Sequence, residues 1–571
     1  MADHPWIQSY PEGVRWDAPL ETYPVAETLD RAAARWPEAS ALDFMGRKIT
    51  YRELLSLADR AASGFQALGV GPGVHVGLFL PNTPHYAIAF FGALKAGATV
   101  VNYSPLDAEK ALEHKIEDSH TDVMVTLDLA ALYPQMAKLL GRTRLKHLVV
   151  GDLAEYAAQP AAVRAHLAKA GTVVDAHGGG RELAFAKLLD NDGKHRVHPL
   201  GNLEEAIAVL QYTGGTTGAP KGAMLTHANL SVVCSQIVTQ TGGTRPIIEE
   251  GKERVLVVLP LFHVYALTVN LLFGLRIGAE LVLHTRFDLA DVVRDIAAKK
   301  ITILPGVPTM FTAIANHPDA ARLDLSSLKF CASGGAPLPV ALQERFQQLT
   351  GCRLKEGWGM TETSPSGTFT PLHGPRKAGS CGIPVPGLTI RFASLEDPGR
   401  YAAPGERGEL VVKGPNVMRG YWNRPEATAE SFNADGFFRT GDVGYMDAEG
   451  YVFIVDRCKD MILCGGYNVY PRLIEEAVLR HPGIAEACVI GVPDPYRGQA
   501  PKAFVVAKTG APAPSLDELK AFLADKLGKH EMVQELEVRA SLPKTAVGKL
   551  SKKDLYDEEA RKRSALQEST A

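Results

Sequence analysis

The 571-residue sequence predicts an α/β protein: a large N-terminal domain of mixed and parallel sheets flanked by helices, a small β subdomain, and a small α+β C-terminal domain. Three observations carry this. Helix and strand patterns alternate over 48–126 and again over 206–360, as in βα units around a largely parallel sheet. Short strand patterns with Gly/Pro turns, such as GERGELVVKGP and DAEGYVFIVD, fill 380–455. A compact run of further helix and strand patterns follows Asp456.

Taken in order, Thr50-Tyr51-Arg52-Glu53 has the form of a capping box and predicts a helix to about Leu68. Strands are expected at 74–80 (VHVGLFL), 99–102 and 122–126, with a helix over 84–95. The Ala-rich segment 153–170 (LAEYAAQPAAVRAHLAKA) reads as an amphipathic surface helix, with a membrane-surface or lid element as the sharper alternative. An apolar strand is expected at 206–212 (AIAVLQY). Helices at 471–480 and 516–527, flanked by strands at 486–491 and 503–506, make up the C-terminal segment, with a boundary at 457–459. The sequence shows no internal repeat.

Composition excludes several classes. Apolar residues are 46% and charged residues 22%, ordinary for a soluble globular chain. Net charge is −3 and no basic stripe occurs, so no nucleic-acid partner is expected. Seven cysteines, at 234, 331, 352, 381, 458, 464 and 488, form no CxxC pair; this predicts a reduced compartment without disulfides or zinc. The start, MADHPWIQSYPEGV, has neither the basic nor the apolar region of a secretory signal, and a cytoplasmic location is expected. The uncharged stretch 255–275 is long enough to span a bilayer. Pro260, His263 and Asn270 interrupt it, and a buried strand, a turn and a core helix fit better.

The chemistry concentrates in YTGGTTGAPKG, 212–222. It is neither a Walker loop, since Lys221 precedes Gly222, nor a GxGxxG turn. Gly214, Gly215 and Gly218 let backbone N–H groups approach an anion, Thr213, Thr216 and Thr217 add hydroxyl donors, and Lys221 adds a positive charge suited to phosphate. Further motifs follow in order: LPLFHVYALTVNLLFG, SGGAP, EGWGMTE, VKGPNVMRGYWNRPEAT, DGFFRTGDVGYMD, VDRCKDMILCGGYNVYP and LPKTAVGKL.

Together these stretches resemble the signature motifs of the adenylate-forming superfamily, which includes acyl-CoA synthetases, luciferases and peptide-synthetase adenylation domains. Within it the sequence is most similar to bacterial long-chain fatty-acid–CoA ligases. The resemblance covers almost the whole chain and implies ATP-dependent formation of an acyl-adenylate with release of pyrophosphate, then transfer of the acyl group to CoA with release of AMP, with Mg2+ as cofactor. It assigns Thr213, Gly214, Gly215, Thr216, Thr217, Gly218, Gly335, Ala336, Pro337, Glu356, Gly357, Trp358, Gly359, Asp442, Ile454 and Arg457 to the nucleotide site. Trp358 stacks on adenine where most relatives carry Tyr; Asp442 accepts from both ribose hydroxyls. Thr361 donates to the α-phosphate, Lys221 meets phosphate, and Glu362 with Thr213 holds the metal. His263, Tyr265, Val307 and Gly335 line the acyl pocket, and Gly465, Gly466 and Tyr467 the CoA tunnel. Lys549 serves adenylation; Lys552 and Lys553 follow it in what reads as a basic tail. The domains implied are 1–456, a hinge at 457–459 pivoting on Lys459, and a mobile 460–571. Cys458 departs from the family, where many relatives have a basic residue.

Apolar pocket positions Val264, Ala266, Leu267, Val307 and Met310 suit a fatty acid. Alternatives are a medium-chain or aromatic, coumarate-type acid, or a fatty acyl-AMP ligase delivering to a carrier protein, whose characteristic insertion is not evident. A non-catalytic acyl or nucleotide binder is disfavoured by intact Lys549, Glu362 and Asp442. Homodimerisation and peripheral contact with the inner face of the membrane are further expectations of the resemblance.

Overall fold

A computed structural model describes residues 4–176, 179–213, 220–373, 377–397, 399–464, 467–545 and 548–570, without the side chains of 321 and 564–570. The chain forms two compact units. One is Met1–Thr389 with Lys413–Gly436; the other is Ile390–Val412 with Phe437–Ala571.

The first unit holds two large sheets. One orders its strands Glu182–Ala184, His147–Gly151, Thr121–Leu127, His75–Leu78, Thr99–Asn102, Ile207–Thr213 and Lys221–Thr226. Neighbours are parallel until the last pair, which is an antiparallel hairpin. Parallel strands are covered on both faces, and Thr121–Leu127 is buried at every position. The helix Pro84–Lys95 is buried from Pro84 to Leu94. Its Gly92 admits the helix Tyr51–Ala67 so closely that a Cβ there would lie 2.5 Å from the Ala61 Cβ.

The other sheet runs Ile383–Pro384, Thr368–Phe369, Leu354–Trp358, Phe330–Ser333, Ile303–Gly306, Arg254–Val257, Glu280–Leu283, Ser40–Phe44 and Arg47–Thr50. It is parallel from Leu354–Trp358 to Ser40–Phe44 and antiparallel at both ends.

Two local expectations change, and a third, the buried strand, turn and core helix over 255–275, holds. Thr50 caps its helix by accepting from the Glu53 N–H at 3.1 Å, but the Glu53 carboxylate pairs with Arg47 at 2.6 Å instead of closing the box. The helix in 153–170 is only Pro160–Lys169, started by its proline. None of its residues is buried, so it is a surface helix without an apolar face. The stretch 255–275 is the end of strand Arg254–Val257, a turn at Pro260, a buried π-helical segment Ala266–Leu272 and the helix Phe273–Arg276. No helix among the described residues is long and apolar enough to cross a membrane.

The second unit contains the expected small β structure, strands Thr389–Ser394, Gly408–Lys413, Phe438–Met446 and Val452–Arg457. It also contains a five-stranded sheet with strands Tyr467–Val469, Ile462–Cys464, Gly498–Ala507 and Ile484–Asp494 in order, and Glu535–Arg539 parallel to Gly498–Ala507. The expected boundary at 457–459 lies inside this unit, at the end of Val452–Arg457. Helices Pro471–Val478 and Leu516–Leu523 are shorter than expected, and the final helix Lys552–Thr570 replaces the basic tail. All seven cysteines are free thiols.

Candidate active site

In parallel sheets, ligands gather beyond the carboxyl ends of the strands. Three of the motifs leave such ends. The 213–221 loop follows Ile207–Thr213, the 334–338 turn follows Phe330–Ser333, and the 359–362 turn follows Leu354–Trp358.

Gly214, Gly215, Thr216, Thr217 and Gly218 lie outside the described residues. The base of their loop is defined. Thr213 opposes Lys221 across the hairpin, and its hydroxyl donates to the Lys221 carbonyl at 3.4 Å. The exposed Lys221 ammonium stands 5.0 Å from the centre of the Tyr421 ring. One strand residue earlier, the Tyr212 hydroxyl donates to Asp118 Oδ2 at 2.6 Å. Asp118 Oδ1 accepts from Arg424 at 2.7 Å, and the Asp118 carbonyl accepts from the Trp422 indole at 3.0 Å. Asp118 thus ties the strand Ile207–Thr213 to the segment 421–424.

That segment also reaches Glu362. The Tyr421 hydroxyl donates to Glu362 Oε1 at 2.8 Å, and the Met418 N–H donates to the Glu362 carbonyl at 2.8 Å. Glu362 is buried in the short turn Thr361–Thr363, with Thr361 half-buried beside it. Neither Tyr421 nor Asp118 stood out in the sequence, although Tyr421 lies in the quoted GYWN stretch. Among the described residues no three His, Cys, Asp or Glu side chains gather to hold a metal. A single buried carboxylate fits Mg2+, which binds through one or two carboxylates while keeping waters and substrate phosphates.

Gly335 is exposed with φ of +79°, Ala336 is half-buried, and Pro337 is exposed. Glu356 is buried, and its Oε1 accepts from the Leu338 N–H at 3.2 Å, so this carboxylate braces the turn. Among the described residues the buried Ser333 hydroxyl beside it has no hydrogen-bond partner. The half-buried Trp358 ring lies against Gly367, where a Cβ would come within 2.2 Å of it. At Gly357 a Cβ would meet the Thr368 carbonyl at 3.0 Å, and at Gly359 the Pro365 carbonyl at 1.6 Å. The approach is tight at Gly357, and at Gly359 only glycine lets the two backbone segments close. His263 Nδ1 accepts from the Tyr265 N–H at 3.2 Å, and the Tyr265 hydroxyl donates to the Ala332 carbonyl at 3.0 Å. The Tyr265 ring covers Gly334, whose added Cβ would lie 3.2 Å away. Val307 is buried at the head of the helix Pro308–Ala315.

In the second unit Asp442 is 3% exposed and pairs with Arg457 on the adjacent strand, Arg457 Nε to Asp442 Oδ1 at 2.8 Å. Ile454, half-buried, opposes Gly444 in the same pair of strands. Lys549 sits near Asp442 and Arg457. Burial, then the Arg457 charge, lower its ammonium to about 8, against the pull of Asp442. Lys459 is exposed. Burial, then Glu409 and Asp442, push the Cys458 thiol up to about 11, so it is a neutral thiol at physiological pH. Gly465 and Gly466 lie outside the described residues; Tyr467, exposed, stacks on His530 with ring centres 4.8 Å apart.

Comparison with known proteins adds a frame. The sequence model of the family described as AMP-binding enzyme matches residues 29–422, and that of the AMP-binding enzyme C-terminal domain matches 473–549. A long-chain-fatty-acid–CoA ligase of Bacillus subtilis (strain 168) is 40% identical over 564 residues, 98% of this chain and 99% of its own. A feruloyl-CoA synthase of an Amycolatopsis species is 37% identical over 523 residues, 91% of this chain and 96% of its own. Among solved structures, the anthranilate CoA ligase AuaEII in complex with anthranoyl-AMP superposes with a TM-score of 0.82 at 26% identity, covering 96% of this chain and 99% of that one. O-succinylbenzoate coenzyme A synthetase from Bacillus subtilis, in complex with ATP and magnesium ion, superposes with a TM-score of 0.74 at 28% identity, covering 92% and 98%.

Proposed function

The chain belongs to the AMP-binding enzymes, and from that premise we propose that it is a long-chain fatty-acid–CoA ligase working through an acyl-adenylate. The observation that carries the reading is the grouping of Lys549 with Asp442 and Arg457. A carboxylate with two acceptor oxygens suits the two ribose hydroxyls, and a cation beside it suits the α-phosphate where charge develops. The fatty acid carboxylate attacks the α-phosphorus of ATP; the bond to pyrophosphate breaks, and the acyl-adenylate forms. The CoA thiolate then attacks the acyl carbon and AMP leaves. Lys549 stabilises the phosphate charge that develops in the first step. When bound, Mg2+ supplies a further positive charge to the phosphates. Glu362 and Thr213 would hold it, and Tyr421 fixes the Glu362 carboxylate.

Support for a fatty acid comes from the near full-length identity to a ligase named for that class. The aromatic reading keeps its place through the feruloyl-CoA synthase, at 37% identity over 91% of the chain. The test is CoA thioester formation with ATP and Mg2+ across octanoate, laurate, palmitate, oleate and coumarate. A maximum at palmitate or oleate upholds the proposal, and a maximum at coumarate replaces the acid while leaving the chemistry. Pyrophosphate release without a thioester points to a carrier protein as acceptor.

Two variants probe the division of labour. Tyr421→Phe removes the donor to Glu362 Oε1. It should raise the Mg2+ concentration for half-maximal ATP binding about tenfold, the effect of losing one outer-shell partner, measured by calorimetric titration. An unchanged Mg2+ requirement removes Tyr421 from this role. Lys459, exposed at the end of Val452–Arg457, is proposed as the pivot between the two half-reactions. Lys459→Pro fixes φ there and should slow thioester formation from supplied acyl-adenylate more than it slows ATP–pyrophosphate exchange. Undiminished CoA transfer in that variant refutes the pivot.

A further inference from the structure

Lys549 stands in a closed loop. The Thr545 N–H donates to the Lys549 carbonyl at 2.7 Å, and the Ser551 N–H donates to the Pro543 carbonyl at 2.9 Å. The Lys549 N–H donates to Thr545 Oγ1 at 3.2 Å. These bonds tie the Lys549 backbone to the chain on either side, so the anchors of that chain bear on where the ammonium points. One anchor is Lys552, three residues on, at the start of the helix Lys552–Thr570.

Lys552 is not a surface tail residue. Its side chain is 19% exposed, and Nζ lies 3.3 Å from Glu475 Oε1 and 3.9 Å from Asp456 Oδ1. Both carboxylates are committed elsewhere as well. Glu475 Oε1 accepts from the Val489 N–H at 2.8 Å. Asp456, 5% exposed, accepts from the Arg457 N–H through Oδ1 and from the Arg472 N–H through Oδ2, both at 2.8 Å. The Arg472 guanidinium donates to the Ile454 carbonyl. Asp456, on the strand that carries Arg457, therefore meets the helix Pro471–Val478 and the start of the helix Lys552–Thr570, which follows the loop of Lys549. It precedes the proposed pivot in sequence, whereas Arg472, Glu475 and Lys552 follow it.

We propose that the cluster Asp456–Arg472–Glu475–Lys552 is a latch across the pivot that sets Lys549 beside Asp442 and Arg457 for adenylation, with Lys552 its positioning residue. It rests on the adenylating role given to Lys549 above. Buried charges of this kind add little net stability against apolar replacements, but they impose a specific geometry, since each half is costly unless it finds the other. The cluster fixes one arrangement for the first half-reaction. It must come apart if the same segment turns about Lys459 for the second.

The test uses the full-length enzyme carrying Lys552→Met. Because that change takes the cation from the buried Asp456 and the half-buried Glu475, Lys552→Met/Glu475→Gln is made alongside, with Lys552→Arg as the conservative rescue; circular dichroism and thermal melting verify folding. The expected result is a loss of roughly 10- to 100-fold in ATP–pyrophosphate exchange, the size of a misplaced catalytic group. The KM for ATP and thioester formation from supplied acyl-adenylate stay within about threefold, a change too small to mark a displaced reacting group. Lys552→Arg recovers most of the exchange. A second readout is independent of turnover: the pH midpoint of Lys549 amine labelling, followed by mass spectrometry, moves from near 8 in the parent enzyme toward the free-lysine range of about 10.4 in Lys552→Met. An unchanged midpoint with unchanged exchange, or equal loss in both half-reactions, overturns the latch. If the parent enzyme exchanges pyrophosphate with no acid, the adenylation reading fails, and the labelling midpoint still decides whether Lys552 places Lys549.

Discussion

Lys549→Ala lowers ATP–pyrophosphate exchange by roughly 10²–10³-fold, the effect of removing one well-placed charge from a site where phosphate charge develops. The loss falls on kcat, since the interaction strengthens only as the transition state forms. Thioester formation from supplied acyl-adenylate is spared; a parallel loss in both steps contradicts the assignment. The same residue predicts a pH dependence. Burial and Arg457 disfavour the charged form of Lys549, which is protonated below about 8 and neutral above. Its electrostatic contribution is therefore present at neutral pH and fades as pH rises through 8. The kcat/KM for ATP, which reports the free enzyme, should fall on the alkaline side. Lys549→Arg, charged throughout, should flatten that limb whatever its absolute rate.

Gly359→Ala is expected to have the largest effect on the fold. The added Cβ would lie 1.6 Å from the Pro365 carbonyl and 2.8 Å from its carbon, so backbone must move to admit it. The displaced turn carries Thr361 and Glu362 directly after Trp358. A destabilisation of about 3–5 kcal/mol is expected, the range of strong overpacking against backbone. It would be read as a lowered denaturant midpoint, or as loss of soluble protein. Gly69→Ala is the control. Its φ is +83°, but nothing lies within 4 Å of the added Cβ, so only backbone strain of about 1–2 kcal/mol applies. Equal costs at the two positions would show that the clash at Gly359 is relieved elsewhere.

Much of the architecture is legible because apolar periodicity is local. The strands Thr99–Asn102 and Ile207–Thr213 and the helix Pro84–Lys95 fall where their patterns place them. Glu535–Arg539 escaped, because its alternating glutamates give no apolar strand pattern. In the sheet, Glu535 and Glu537 face Lys502 on the parallel neighbour at 3.5 and 3.1 Å, which makes the charged face a strand face. The site residues are legible as motifs, but not what holds them. Tyr421 and Glu362 are 59 residues apart, and no local rule joins a phenol to a carboxylate at that distance. Lys552 misleads for the opposite reason: next to Lys553 it looks like a solvated run, and only the fold brings Asp456 and Glu475 to it. Glu356, grouped with the nucleotide residues by its motif, spends one oxygen on the Leu338 N–H.

The first unit is made of two pieces of chain, Met1–Thr389 and Lys413–Gly436, and this governs how the protein can come into being. On the ribosome the phosphate loop and Glu362 emerge well before Tyr421, Trp422 and Arg424. A nascent chain stopped ahead of Lys413 would carry nearly every motif residue of the first unit, yet lack the hydroxyl for Glu362 and both partners that join Asp118 to the 421–424 segment. The contacts that hold Glu362 and Asp118 therefore arrive late in translation, after Ile390–Val412 of the other unit has already been made. The two units are interleaved along the chain, so no single proteolytic cut can release either one whole.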